Sequence, residues 1–230
     1  MGKVYFISGA TRGIGLQLAT QLSQADSSNT VIATARNPIT STGLKELASK
    51  QKNVHIIKLD VSSEESINGI DEQIVPLASE TGIDVYISNG AIGDLTPIQD
   101  LNRQSYIDHF LTNVLGPFIG GQVSDFSPLL TGACGITKVG LNHAALQLSI
   151  QYQDEDFTVI PLHPGFVNTE LANDVFNTLP ENQYEVAESF RAQFITPAES
   201  ASGIINNIIN QVTIEDSGKF YRYDGKILPY

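Results

Sequence analysis

The 230-residue chain reads as a doubly wound α/β domain on a parallel sheet, and three features say so. Five short runs of Val, Ile, Leu, Phe and Tyr recur along it, and stretches of helical period separate them. The first run also ends in a glycine-rich turn that opens a helix. Near-continuous apolar runs suit strands covered on both faces. Strands alternating with helices imply right-handed crossovers between parallel neighbours. The length predicts one domain, residues 1–230.

In chain order, Lys3–Ile7 is the first strand and Ile14–Gln24 the first helix. Val31–Ala35, Val54–Leu59, Val85–Ser88 and Phe157–Leu162 are the later strands. Leu44–Lys50, Glu64–Ser79, Tyr106–Phe118 and Val139–Gln151 are the later helices. Ser62 and Ser63, followed by two glutamates, have the makings of an N-terminal cap.

Composition narrows the function. Hydrophobic residues at 41% against 17% charged ones supply a core, and 13 basic against 25 acidic residues leave a net charge of −12. No stretch gathers the Lys/Arg cluster that grips a phosphate backbone, so nucleic acid is not an expected partner. No apolar run reaches the roughly 18 residues of a membrane span, and Val4–Ile7 has no small-residue cleavage site behind it. The expectation is a cytoplasmic protein off the membrane. A lone Cys134 rules out an internal disulfide. His55, His109, His143 and His163 lack ligand spacing, so no metal is expected.

Ser8-Gly9-Ala10-Thr11-Arg12-Gly13-Ile14-Gly15 lies where the first strand stops and the first helix starts. Glycines permit a tight turn and close backbone approach, while free amides and the positive end of the helix attract a pyrophosphate. This places a Rossmann-like dinucleotide site at Gly9, Gly13, Ile14 and Gly15. The residue that reads the adenosine ribose belongs at the end of the second strand, about 20 positions on. Arg36 stands there. A carboxylate would repel a 2′-phosphate, whereas a guanidinium grips it with paired hydrogen bonds. NADP(H) is therefore favoured over NAD(H), with Arg12 as a second cation.

Together these residues resemble the short-chain dehydrogenase/reductase family, over nearly the whole chain. Gly9-x-x-x-Gly13-Ile14-Gly15 matches its cofactor turn, and Asp60-Val61 matches the pair that faces the adenine. Asn89-Gly90-Ala91 sits where the family has Asn-Ala-Gly. Pro164-Gly165-Phe166-Val167-Asn168-Thr169 matches the segment bordering the nicotinamide, which implies contacts from Val167 and Thr169. Ser217 to Gly225 resembles the last strand of the small NADPH-dependent carbonyl reductases.

That resemblance implies hydride transfer between the nicotinamide and a carbonyl or alcohol carbon of a small molecule. It also implies a four-residue system: Asn holds a water, Ser binds the substrate oxygen, Tyr is the acid or base, and Lys lowers the Tyr pKa and binds the ribose. Asn113 and Lys138 match the first and last. In the family the segment from Glu170 to Thr196 closes over the substrate. Here its apolar Leu171, Val175, Phe176, Leu179, Tyr184, Phe190 and Phe194 suit either a hydrophobic carbonyl compound or an amphipathic helix pair packed on the body.

Two departures stand out. The tyrosine position, one helical turn before Lys138, is Cys134. A thiol near pKa 8.5 can carry a proton, and a neighbouring ammonium would lower that value, but it is shorter than a phenol by several ångströms. The second departure is an absence. Only 20 residues separate Asn113 from Cys134, and no run of β-branched residues among them makes a strand. The central fifth strand and the catalytic serine are expected to be missing, with Ser124, Ser127 and Thr131 the only hydroxyls nearby. The loss leaves a gap of about one strand spacing, roughly 4.8 Å, or shifts Phe157–Leu162 onto Val85–Ser88. An NADP(H)-dependent oxidoreductase and a catalytically impaired, nucleotide-binding pseudoenzyme or degenerate copy both follow. In the family the two helices flanking the missing strand form a homodimer, and the loss of that strand here implies a weakened homodimer or a monomer.

Overall fold

A computed structural model describes residues 2–78, 82–93, 102–115, 132–177 and 184–230. They fall into two compact units, Met1–Gly90 and Ala91–Tyr230.

The first unit is α/β with a parallel sheet of four strands, β1 (Val4–Ile7), β2 (Thr30–Ala35), β3 (Val54–Lys58) and β4 (Val85–Ile87), in the order β3-β2-β1-β4. All its pairings are parallel. The chain winds outward from β1 to β3 through α1 (Gly13–Ala25) and α2 (Thr42–Lys50), then returns to the other side of β1 through α3 (Glu64–Asn68) and α4 (Asp71–Ile74). This reversal beside β1 makes a switch point, the place where open α/β sheets bind ligands at the carboxyl ends of their strands.

Residues of one strand alternate between the two faces, and both faces are covered. Val4, Phe6, Ile32, Ile57 and Leu59 form one buried cluster, against which Val61, Ile70, Ile74 and Leu77 pack. Tyr5, Ile7, Val31 and Ala33 are buried as well, together with Leu18 and Leu22 of α1 and Leu44 and Leu47 of α2.

The expected helix Glu64–Ser79 is two short helices. Ser63 caps the first, its hydroxyl accepting from the Ser66 amide, and Gly69 ends it by donating to Glu65 and Ile67 carbonyls. The break lets the Gln73 side chain pair with the outer edge of β3, donating to the Lys58 carbonyl at 3.2 Å and accepting from the Lys58 amide at 3.1 Å. It thus covers the last residue of an edge strand, one way of blunting an exposed sheet edge.

The second unit contains α5 (Arg103–Phe110), running into a π-helical turn, Leu111–Leu115, and then α6 (Gly132–Gln151), α7 (Glu170–Asn177), α8 (Tyr184–Arg191) and α9 (Pro197–Ile204). A second sheet joins β5 (Leu162–His163), β6 (Phe220–Arg222) and β7 (Ile227–Leu228) in that order. The expected strand Phe157–Leu162 is therefore corrected to Leu162–His163, paired in parallel with Tyr221 and Arg222. Pro161 has no amide to donate, and a side chain, Ser217 Oγ, takes the Val159 amide at 3.1 Å. The segment runs alongside 217–221 without forming a regular ladder. The expected loss of a strand falls on residues 116–131, as do Ser124, Ser127 and Thr131; all lie outside the described residues. Among the described residues no helix is long and apolar enough to cross a membrane.

Candidate functional site

In the first unit the site forms where β1 and β4 end. Gly9 and Gly13 have φ of +64° and +57°, which side-chain-bearing residues rarely adopt. A Cβ on Gly9 would stand 2.6 Å from Gly90 Cα. One on Gly15 would stand 2.4 Å from the Gly9 carbonyl oxygen and 2.5 Å from Asn89 Nδ2. The turn is thus drawn against the end of β4 more closely than any other residue allows. Arg12, at the N-cap of α1, is extended and makes no side-chain capping bond, and the first turn carries no acid. The first turn of the helix therefore adds no carboxylate of its own to compete for the positive end and the first amides.

Three polar side chains hold the turn. Ser8, fully buried, accepts at Oγ from the amides of Asn89 (3.0 Å) and Gly90 (3.2 Å). Asn89 Nδ2 returns a bond to the Gly9 carbonyl at 2.9 Å. Thr34 Oγ1, in β2, accepts from the Gly9 amide at 3.2 Å. Sequence reasoning missed Ser8 and Thr34. The available signal was a hydroxyl at the end of, or inside, an otherwise apolar strand, since a buried hydroxyl needs partners. The interchange in Asn89-Gly90-Ala91 is sterically mild, because a Cβ on Gly90 would meet nothing nearer than 3.7 Å.

Arg36 follows β2 and is exposed. Asp60 follows the neighbouring β3, with its Oδ1 accepting from the Ser62 hydroxyl at 2.6 Å and amide at 3.0 Å. These bonds, helped by the positive charges of Arg36 and Lys58 and opposed by partial burial, hold its carboxyl below the usual range. Val61 packs on the sheet's core.

In the second unit Asn113 sits in the π-helical turn with no exposed surface. Its Oδ1 accepts from the Ile92 amide at 2.9 Å, and its Nδ2 donates to the Ile92 carbonyl at 2.8 Å and to Thr137 Oγ1 at 3.2 Å. The amide is thus committed to protein partners, and a π-turn of this kind often marks a functional position. Thr137, buried and also missed by sequence reasoning, directly precedes the half-buried Lys138 on α6. Cys134 lies on the same helix; its side chain is outside the described residues.

Val167 is buried and forms a parallel bridge with Ile195. Thr169 Oγ1 accepts from the Ala172 amide at 3.1 Å and so caps α7. Aromatic edges line the segment after it: Phe166 meets Phe190 at 4.9 Å and Phe176 meets Phe194 at 5.3 Å between ring centres. Two short helices, α7 and α8, occupy this segment, an arrangement compatible with either expectation for it.

The model of the short chain dehydrogenase family matches residues 3–129. An oxidoreductase of Schizosaccharomyces pombe is 33% identical over 251 positions, covering 99% of this chain and 98% of its own. This chain belongs to the short-chain dehydrogenase family. Another oxidoreductase, from Saccharomyces cerevisiae, is 32% identical over 248 positions, covering 96% of this chain and 95% of its own. The fold matches the NADPH-bound carbonyl reductase from chicken fatty liver, with TM-score 0.80 and 22% identity over 100% of this chain and 94% of that one. It also matches the carbonyl reductase Sniffer of D. melanogaster, with TM-score 0.83 and 19% identity over the whole of both chains. The chain is an oxidoreductase-family member with the Rossmann-like fold. Aligning its 230 residues over 251 positions leaves 251 − 230 = 21 or more positions without a residue here.

Proposed function

We propose that this family member is an NADP(H)-dependent oxidoreductase acting between the nicotinamide and a carbonyl or alcohol carbon of a small-molecule substrate. Arg36 carries the reading: an exposed guanidinium stands at the end of β2, where a carboxylate would select NAD(H). The donor set fits such a cofactor, with α1 uncapped, no first-turn acid and the glycine turn held open by Ser8, Thr34 and Asn89.

The main chain at Gly9, Gly13, Ile14 and Gly15 is assigned to the pyrophosphate and Arg36 with Arg12 to the 2′-phosphate. Asp60, Val61 and Asn89 are assigned to the adenosine half. Lys138, Val167 and Thr169 are assigned to the nicotinamide half. A bound nicotinamide supplies the hydride. Lys138 brings a positive charge that favours the anion of a neighbouring proton carrier, and Asn113 fixes the helix turn that precedes it in the chain. Exposed Ile107 and Phe110 on α5 and Ile136, Val139 and Ile150 on α6 suit a weakened homodimer of the kind the family likeness implies, rather than a monomer.

Fluorescence titration with the two reduced cofactors tests this. Arg36→Asp is expected to weaken NADPH binding about 10–100-fold, the loss of a charge-assisted pair plus repulsion, and to leave NADH binding equal or tighter. Equal NADPH affinity in both proteins would remove Arg36 from the site.

A second reading, a nucleotide-binding pseudoenzyme, is favoured by Cys134 at the tyrosine position. It predicts NADPH binding without consumption on a panel of ketones and aldehydes. Cys134→Tyr alone is expected to fall short of full turnover, because the serine role is still unfilled. Vigorous turnover in that variant would show that the serine is dispensable or supplied elsewhere.

A further inference from the structure

The segment assigned above to the nicotinamide begins with a bend at Pro164-Gly165, and the peptide groups of that bend are held by side chains. Ser200, fully buried on α9, donates its hydroxyl to the Pro164 carbonyl at 2.7 Å. The Gly165 amide donates to His163 Nδ1, also at 2.7 Å. Proline has no amide, so the Gly165 N–H is the first main-chain donor after β5.

Gly165 has φ +89°, and a Cβ there would stand 2.9 Å from Ile195 Cδ1 and from Tyr223 Cε1. The bend is therefore both left-handed and tightly covered. Beyond it the path is fixed by main chain: Ile195 donates to the Phe166 carbonyl at 2.8 Å and Asn168 donates to the Ile195 carbonyl at 2.9 Å. Thr169 then caps α7. An error in direction at Gly165 would be carried into Val167 and Thr169.

We infer that His163 is a positioning residue, whose imidazole accepts the Gly165 amide and so sets the main-chain path into Val167–Thr169. This rests on the proposed placing of those two residues at the nicotinamide. The side-chain-to-amide bond two residues on is the geometry of an Asx turn, ordinarily made by Asn or Asp. Because the amide is the donor, Nδ1 holds no proton, and in the neutral ring the proton is on Nε2. The ring is held in place by the edge of Phe166, with centres 5.8 Å apart and planes at 82°. The His163 carbonyl accepts from the Tyr223 amide at 2.8 Å. The imidazole supplies what an Asn would, from a ring packed on Phe166 and a main chain tied to Tyr223.

The equivalence gives the test. His163→Asn keeps an acceptor for the same amide without the ring, and His163→Phe keeps a ring without the acceptor. NADPH titration, with thermal melts of each protein, is expected to show His163→Phe weakened about tenfold, the equivalent of roughly one hydrogen bond. His163→Asn should stay within about threefold of the parent. Binding by His163→Phe equal to the parent, or a loss in His163→Asn as large as in His163→Phe, would overturn the inference. Should the Phe variant not fold, His163→Leu takes its place. Amide hydrogen exchange at Gly165 in the protein without NADPH reads the bond independently of the cofactor. It should quicken in the Phe variant and hold in the Asn variant, and equal exchange in all three would also overturn the inference. Parent protein that shows this exchange pattern and yet does not bind NADPH would overturn the proposed cofactor instead.

Discussion

Gly15→Ala is expected to abolish measurable NADPH association and to lower the melting temperature, while Gly90→Ala leaves both nearly unchanged. The added methyl at 15 would lie 2.4 Å from the Gly9 carbonyl oxygen and 2.5 Å from Asn89 Nδ2. Real Cβ atoms do not come so close; the nearer neighbour is main chain, and the side-chain end of Asn89 is tied to that same carbonyl. Relieving the contact pushes Gly9 away from the end of β4 or breaks the bond from Asn89 Nδ2 to the Gly9 carbonyl. Either movement redirects the amides that open α1. Overpacking of this kind costs about 1–3 kcal/mol in stability, and the larger effect falls on binding. Gly90→Ala is the control, because it adds the same methyl one strand away in ordinary contact. Paired melts and NADPH titrations check both. A Gly15→Ala protein that binds like the parent would show that the turn's geometry does not govern the cofactor.

Asn113→Ala is expected to destabilise the fold by about 2–5 kcal/mol, because it strands the Ile92 amide and carbonyl, each worth roughly 1–3 kcal/mol when buried without a partner. It also removes the Nδ2 bond to Thr137. Asn113→Asp should cost at least as much at neutral pH, since a fully buried carboxylate accepts from the Ile92 amide but faces the Ile92 carbonyl with a desolvated charge. Urea denaturation gives both values from the midpoint at constant slope. A loss below about 1 kcal/mol for the alanine variant would mean that water satisfies Ile92 in its place.

How much could be read beforehand depends on how local each cause is. The glycine turn and β1 to β4 are written in adjacent residues, as apolar runs ending in Gly or polar residues, and they stand where expected. The Ser63 cap is equally local. Glu64–Ser79 misleads because the apolar Ile67, Ile70, Ile74 and Leu77 keep a helical spacing across Gly69, which ends the first helix, while Gln73 in the second pairs with a strand 15 residues away. Phe157–Leu162 misleads because it has strand composition, whereas its ladder depends on Pro161 and on a side chain 58 residues on. The partners of Asn113, at separations of 21 and 24 residues, leave no trace in spacing. Asn113 itself was found only because the family marks it. His163, Ser200, Ser8 and Thr34 belong to the same class: polar atoms whose partners arrive through the fold.

Both sheets draw their partners from close at hand. The four-stranded one uses only residues between Val4 and Ile87, and the three-stranded one only residues between Leu162 and Leu228. Among the described residues no rung of either ladder comes from between Ile87 and Leu162, so a change of length in the described part of that stretch cuts no strand pairing. Each of the two described sheets therefore sets its register from its own end of the chain.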